Sequence, residues 1–192
     1  MPRLPLCLLV FCCLFLNGCN VAYGVYDDKR LTGTIAEDKS IATAIKTDLL
    51  NHNFSDGWDI SVYCYYGHVF LVGEAPAGAR NEALTIARRD ARVRSVRTHW
   101  FKPASSETSD MVLAARLRTE LISASNLSST RIDTKVSSGR VVLLGVVAND
   151  EERTLAVRTA KRVEGVVRVD SYLMLPEEAV PVAPRRMQET AL

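Results

Sequence analysis

The chain has 192 residues, of which 47% are apolar and 24% are charged, and its formal net charge is +2. This composition is typical of a folded globular protein and argues against an intrinsically disordered chain. A net charge so close to zero does not favour nucleic acid as the main partner.

The first 18 residues have the pattern of a secretory signal peptide. Arg3 precedes an uncharged apolar run over residues 6–16, and Gly18 supplies the small residue of a cleavage site. The run is too short for a membrane-spanning helix, which needs about 20 apolar residues. The sequence therefore predicts that residues 1–18 are removed during export.

The residues around the cleavage site, Leu16-Asn17-Gly18-Cys19, resemble the lipobox of bacterial lipoproteins. By this resemblance the chain is cut before Cys19. Its thiol then carries a diacylglyceryl group, and its new amino group carries an acyl chain such as palmitate. Three acyl chains exceed the two membrane signals that stable anchoring takes. The alternative is an ordinary signal peptide cut elsewhere, which would leave a soluble periplasmic protein.

The cysteines do not form a disulfide framework. Three of the five lie in the predicted signal peptide, and Cys19 is the predicted lipidation site. Only Cys64 remains, so the mature chain has no partner for an intramolecular disulfide. Cys64 alternates with Ile60 and Val62 in a strand-like pattern, which favours a buried thiol. A reactive or intermolecular role for Cys64 is the alternative.

An internal repeat follows residues 19–37, which we interpret as a tether. Residues 45–50 (IKTDLL) match residues 117–122 (LRTELI) in character at every position, 72 residues further along the chain. The offset falls to 70 where Val93 is matched to Val163. The first copy is therefore expected to be two residues longer, with the extra length near Pro76.

Each copy predicts the order helix, strand, strand, helix, strand. Apolar residues recur at helical spacing at Ile41, Ile45 and Leu49, and again at Leu113, Leu117 and Leu121. Asp38, and Ser109 or Asp110, are the predicted N-caps of these helices. The later elements are predicted at residues 60–64, 68–72, 78–90 and 96–101, and in the second copy at 132–136, 140–144, 150–163 and 166–173. Gly67 and Gly139 lie in the predicted hairpin turns.

Two segments of the second copy carry a family resemblance. Residues 139–145 (GRVVLLG) and 163–169 (VEGVVRV) resemble the BON domain (bacterial OsmY and nodulation domain). The first copy has residues 67–73 (GHVFLVG) and 93–96 (VRSV), in which Ser95 replaces the usual glycine. The resemblance implies an α+β fold with two tandem domains, each a small three-stranded mixed sheet packed against two helices.

The whole chain is then divided as follows. The predicted segments are a signal peptide (1–18), a lipidated tether (19–37), a first BON domain (38–102), a linker (103–108), a second BON domain (109–175) and a disordered tail (176–192).

The order of features in this chain is similar to that of the dual-BON outer-membrane lipoproteins, a family associated with division and outer-membrane stress. The features are the lipobox, residues 25–30 and 32–34, and the two BON copies. From the residues we expect no enzymatic activity, cofactor or metal, and the resemblance implies a lipid-anchored periplasmic protein. It implies binding to anionic phospholipid and maintenance of envelope integrity at the division site. Asn20, rather than an aspartate that would retain many lipoproteins at the inner membrane, follows Cys19 and predicts the outer membrane.

In that family the first helix of the second domain contacts lipid. The matching residues here are Met111, Val112, Ala115, Arg116 and Arg118, with Val112 in place of the family's aromatic residue. Apolar groups at the helix start are expected to dip into the bilayer while arginines meet phosphates. The alternative is that Met111 and Val112 cover the core and that both arginines are solvated.

A second hypothesis is a protein-binding adaptor for outer-membrane assembly, secretion, stress-response or division machinery. Tyr63 and Tyr65 point away from the core in the predicted strand, so they meet the second domain, a protein partner or the membrane.

The sequence contains no catalytic motif, and its histidines lack ligands at metal-binding spacing. Trp58 and Trp100 are expected to be core or strand-edge residues.

Overall fold

The computed structural model describes residues 32–102 and 109–179. The predicted signal peptide, Cys19, the linker at 103–108 and the chain after residue 179 lie outside this range. The first domain contains α1 (Thr32–His52), α2 (Phe54–Asp59), β1 (Ile60–Tyr65), β2 (His68–Gly73), α3 (Ala77–Arg89) and β3 (Ser95–Trp100). The second contains α4 (Asp110–Ser123), a 3-10 turn (Ser129–Arg131), β4 (Ile132–Ser137), β5 (Arg140–Val146), α5 (Asp150–Arg162), β6 (Arg168–Met174) and the short α6 (Pro176–Ala179).

Each domain has a three-stranded mixed sheet, as predicted. β1 pairs antiparallel with β2, and β2 pairs parallel with β3; β4, β5 and β6 repeat this arrangement. The antiparallel pairs are joined by two-residue turns, whereas each parallel pair is connected through a helix, as parallel pairing requires. The α+β architecture with two copies of one domain is therefore confirmed.

The predicted helix faces and hairpin turns are also confirmed. Ile41, Ile45 and Leu49 are buried on one face of α1, and the matching leucines of α4 are fully buried. Both hairpin turns have two residues of positive φ, which are Tyr66 and Gly67 at 53° and 77°, and Ser138 and Gly139 at 50° and 75°. These values fit a type I′ turn, whose twist matches that of the two strands it joins.

The predicted alignment of the two copies is wrong in its last third. His68 pairs with Ser95, whereas Arg140 pairs with Arg168, so the second copy is one residue longer than the first. Gly165 therefore corresponds to Arg92 and not to Ser95. Ser95 is an ordinary strand residue. The error arose because closely spaced valines allow several matches, and only the backbone pairing of the strands selects one.

Asp38 is not an N-cap, because α1 begins at Thr32 and includes residues of the predicted tether. Asp38 lies within the helix and is only 3% exposed. The carboxylate accepts hydrogen bonds from the backbone N–H groups of Tyr66 and Gly67, at 2.8 Å each, and from the Cys64 thiol at 3.3 Å. Asp38 thus fixes the hairpin turn of the first domain to α1, and Cys64 is buried as predicted.

The start of the predicted disordered tail is folded. Residues 176–179 form α6, and Ala179 is 1% exposed. Its carbonyl oxygen lies 3.0 Å from Nε2 of His68 in the first domain. This segment therefore helps to join the two domains.

The two sheets pack against each other on the faces that do not carry the helices. Val69 and Leu71 of β2 point toward the helices, whereas Phe70 and Val72 point toward the other domain. The resulting inter-domain core comprises Tyr65, Phe70, Val72, Phe101, Val142, Leu144, Val146, Met174 and Ala179. The described residues therefore form four layers, in the order helices, sheet, sheet, helices.

The two domains pack in opposite orientations, so that the hairpin turn of each lies at the side where the other domain's first strand begins. The Tyr65 hydroxyl, at the end of β1, donates to Asp133 at the start of β4 with an O–O distance of 2.6 Å. At the opposite side, Ser137 at the end of β4 donates to Glu74, which follows β2. We call this second side the Gly139 end, because it holds the Ser138–Gly139 turn together with the start of β1. The other side, which holds the turn at Gly67, is the Gly67 end.

Replacing Asp38 should destabilise the first domain. Asp38→Ala leaves one buried and one partly buried backbone donor without this acceptor, and a buried unsatisfied donor costs about 1–3 kcal/mol. We expect the free energy of unfolding to fall by about 2–4 kcal/mol in urea denaturation. The matched control is Glu37→Ala, which removes an exposed acid from the same helix turn. Equal stability of the two variants would contradict the structural role of Asp38.

His99 lies at the domain interface. Its Nδ1 lies 3.1 Å from the Tyr172 hydroxyl, and its ring packs edge-on against Phe101. Burial lowers the pKa of His99, and nearby Arg168 and Arg140 lower it further, although Asp170 opposes them. The unfolded chain therefore binds a proton at a higher pH than the folded chain does.

Stability should consequently fall as the pH drops below about 6.5, the usual pKa of histidine. The free energy of unfolding is measured from pH 8 to pH 5 for the wild type and for His99→Gln. The stability of the wild type relative to the variant should decrease as the pH falls. A difference that is constant with pH would show that His99 does not couple the interface to protonation.

Candidate functional site

The start of α4 presents two apolar side chains to solvent. The buried stripe of this helix begins at Leu113, so the two residues before it are turned away from the sheet. Met111 is 81% exposed and Val112 is 45% exposed. The alternative in which these two residues cover the core is therefore wrong. Ser109 occupies the N-cap position of α4, as predicted, although its side chain makes no capping hydrogen bond.

Ala115 and Arg116 are also exposed on α4. Nη1 of Arg116 lies 3.6 Å from a carboxylate oxygen of Glu164, and both side chains are largely in solvent. An exposed ion pair of this kind contributes about 0–1 kcal/mol. An anionic group from outside can therefore replace Glu164 as the partner of Arg116 with little loss of stability.

Arg118 does not belong to this exposed surface. Its guanidinium donates to the backbone carbonyl groups of Ser129 and Ile132, at 3.0 and 3.1 Å. Lys46, the matching residue of the first domain, donates in the same way to the carbonyl group of Ile60 at 2.7 Å. Both cations thus fix the chain where it enters the first strand, and the predicted lipid-binding role of Arg118 is not supported.

Val167 joins the exposed residues of α4, although the sequence analysis did not identify it. It is 82% exposed and lies in the loop between α5 and β6. Its backbone N–H donates to the carbonyl group of Gly139 at 2.8 Å, which places it at the Gly139 end. The sequence predicts a strand beginning at Val166, but β6 begins only at Arg168, so Val167 has no sheet neighbour to cover it.

These residues form one surface, which we call the α4 tip: Met111, Val112, Ala115, Arg116 and Val167. The ion pair between Arg116 and Glu164 connects α4 to the loop that carries Val167. The tip combines four exposed apolar side chains with one cation that is easily released from its partner. This arrangement is suited to a surface that is apolar inside and anionic at its boundary.

The tyrosine face is covered by the second domain. Tyr65 is 4% exposed and bonded to Asp133, and Tyr63 packs against the inter-domain core. Burial raises the pKa of Tyr63, and the charge of Asp133 raises it further. Of the three possibilities for these side chains, the structure selects the second domain, so Tyr65 is not available as a surface for an external partner.

A short helix in the first domain carries an exposed aromatic pair. Phe54 and Trp58 of α2 are 67% and 66% exposed, and their ring centroids are 5.8 Å apart. The expectation that Trp58 is a core or strand-edge residue is therefore wrong. The helix is held in place because Gly57 packs on the backbone of Leu49, where a Cβ atom would come within 2.6 Å of the Leu49 oxygen.

A buried ion pair in the second domain has a structural role. Glu152 and Arg131 are 5% and 7% exposed, and the carboxylate accepts from the Arg131 guanidinium and from the backbone N–H of Ser128. This pair fixes the 3-10 turn before β4 to the start of α5. Within residues 32–102 and 109–179, no group of three His, Cys, Asp or Glu side chains is placed to hold a metal ion.

The same part of the chain has no helix that is both long enough and apolar enough to cross a bilayer.

Comparison with known proteins agrees with this architecture. A family model described as the BON domain matches residues 37–99 and 109–175. BON domains bind phospholipids and associate with membranes. Two similar solved structures are of CdsD, a structural protein of the type III secretion system of Chlamydia trachomatis. The first, its C-terminal domain, is 14% identical, with 75% of this chain and 67% of that chain covered and a TM-score of 0.31.

The second CdsD structure is also 14% identical, with 73% of this chain and 65% of that chain covered and a TM-score of 0.29. Values this low carry no argument about function. The family model, in contrast, matches more than half of the chain, in the two segments that form the repeated domains. The chain therefore belongs to the BON domain family.

Proposed function

We propose that this chain is a lipid-anchored periplasmic protein of the outer membrane, without enzymatic activity, that binds anionic phospholipid and helps to maintain the envelope barrier. The observation that carries the proposal is the α4 tip, where Met111 and Val167 are more than four-fifths exposed on one end of the molecule. The lipobox at Cys19, followed by Asn20, supports the anchor and the choice of membrane.

The contacts of the α4 tip alone are expected to give weak and reversible binding. Fully burying a methionine or valine side chain contributes about 1.5–3 kcal/mol, and the tip inserts only partly. A basic residue near an anionic surface adds about 1 kcal/mol. In this proposal the acyl chains on Cys19 keep the protein at the membrane, and the tip decides which side of the protein faces the bilayer.

The adaptor hypothesis has lost the surface on which it was based. It depended on the tyrosine face, but Tyr65 is buried against the second domain. We therefore retain phospholipid binding as the main function.

The α4 tip should control vesicle binding. Met111→Asp and Val167→Asp each place a charge where an apolar side chain would enter the bilayer. We expect each change to weaken binding to phosphatidylglycerol-containing vesicles about tenfold, which corresponds to about 1.4 kcal/mol. The assay is co-sedimentation of the processed chain carrying Cys19→Ser, so that acyl groups do not contribute.

Ile122→Asp is the matched control, since Ile122 is 60% exposed on the same helix but lies toward the Gly67 end. It should bind like the parent chain. If Met111→Asp and Val167→Asp bind as tightly as Ile122→Asp and the parent chain, the proposed function is wrong. It is also wrong if the parent chain does not bind anionic vesicles.

A further inference from the structure

We propose that the bilayer contact extends to the first domain, where the exposed pair of Phe54 and Trp58 lies at the same end of the molecule as the α4 tip. This inference rests on the proposed phospholipid binding and adds a second contact site to it. The two sites together would form one membrane-facing end, the Gly139 end, that includes residues of both domains.

The packing of the sheets places α2 at this end. Asp59, the last residue of α2, directly precedes Ile60 at the start of β1. Ile60 pairs with Gly73, and the following residue, Glu74, accepts a hydrogen bond from Ser137 beside the turn at Gly139. The backbone carbonyl of Lys102 accepts from the Arg140 guanidinium at the same place. The start of β1, and α2 with it, therefore lies at the Gly139 end.

The exposed apolar side chains are concentrated at this end. Among the described residues, the large hydrophobic side chains with high exposure are Phe54, Trp58, Met111, Val112, Ile122 and Val167. All except Ile122 belong to α2 or to the α4 tip. Single exposed apolar residues are common on protein surfaces, but a set gathered at one end of a molecule indicates an interaction site.

The form of this site favours a bilayer over a protein partner. α2 and α4 lie on the outer flanks of their sheets, which are about 10 Å apart in a packed pair. The two apolar sites are therefore separated by the width of both sheets, and a broad flat surface can touch both at once. Phe and Trp are also residues that suit the boundary between headgroups and acyl chains.

The charges next to the aromatic pair do not prevent this contact. The Asp56 carboxylate accepts a hydrogen bond from the Asn53 amide at 3.0 Å. The ammonium group of Lys46 lies 3.1 Å from the carbonyl oxygen of Trp58, where it compensates the charge of Asp59. Two carboxylates and one ammonium group thus lie beside the pair, which is expected to contact the bilayer through its apolar rings and not through charge.

The length of chain before α1 is compatible with this orientation. Asp38 contacts the turn at Gly67, so Thr32 lies at the Gly67 end, away from the proposed contact. The 21 residues of α1 span about 31 Å along the molecule. Cys19 precedes Thr32 by 13 residues, which reach about 43–47 Å at most. An anchor at Cys19 can therefore share a bilayer with the Gly139 end, with about 12–16 Å of reach to spare.

Tryptophan fluorescence tests the contact directly. Trp100→Phe leaves Trp58 as the single tryptophan of the chain. On addition of phosphatidylglycerol-containing vesicles, the Trp58 emission should shift to shorter wavelength and be quenched by brominated acyl chains. An unchanged emission at lipid concentrations where co-sedimentation shows the same variant to be bound would overturn the inference.

Mutation separates this inference from the proposed function. The double variant Phe54→Ser, Trp58→Ser should weaken vesicle binding about tenfold, whereas Ile122→Ser should not change it. Circular dichroism checks that the fold is retained. If Met111→Asp weakens binding but the double variant does not, the second contact is wrong and the proposed function stands. If neither change has an effect, both are wrong.

Shortening the anchor segment tests the orientation in cells. Deleting residues 21–25 from the lipidated chain leaves eight residues before Thr32, which reach about 26–29 Å, less than the length of α1. A photo-crosslinking amino acid in place of Trp58 should label phospholipid in the parent chain and lose most of this labelling after the deletion. Equal labelling in both chains would show that the Gly139 end does not face the anchored bilayer.

Discussion

The back-to-back packing of the two sheets determines the rest of this structure. Each domain has helices on only one face of its sheet, so the other face would be exposed in an isolated domain. Phe70 and Val72 from one sheet, with Val142 and Leu144 from the other, bury these faces together. Domains of about 65 residues bury a smaller fraction of their surface than larger domains do and are marginally stable alone. The inter-domain core therefore makes one folding unit of two sister domains.

The direction of this packing also separates the roles of the two copies. Because the domains run in opposite directions, the strand-entry side of the first lies beside the hairpin side of the second. The two copies differ at the strand entry. The first domain has α2, with Gly57 against Leu49, whereas the second has a 3-10 turn fixed by Arg131 and Glu152. An exposed aromatic pair in one domain thus comes to the same end as an exposed helix start in the other.

Sequence patterns predicted what local spacing determines. The buried stripe of α4, the positive-φ glycine turns and the element order followed from periodicity and residue type. What depends on distant partners did not follow. An aspartate such as Asp38 is typical of a helix start, and only the hairpin packed against it explains its burial. Val167 belonged to a valine-rich run with several possible registers, and its exposure depends on the register adopted by β6. The exposure of Trp58 depends on α2, which has no counterpart helix in the second domain.

We propose that one end of the two-domain molecule, the Gly139 end, faces an anionic bilayer. Nuclear magnetic resonance of the isotopically labelled chain with nanodiscs that contain spin-labelled phosphatidylglycerol measures this most directly. The account predicts that amide signals of α2, the start of α4 and the loop carrying Val167 lose intensity, while signals around the turn at Gly67 do not. Loss of intensity centred on the Gly67 end, or spread evenly over both ends, would contradict it.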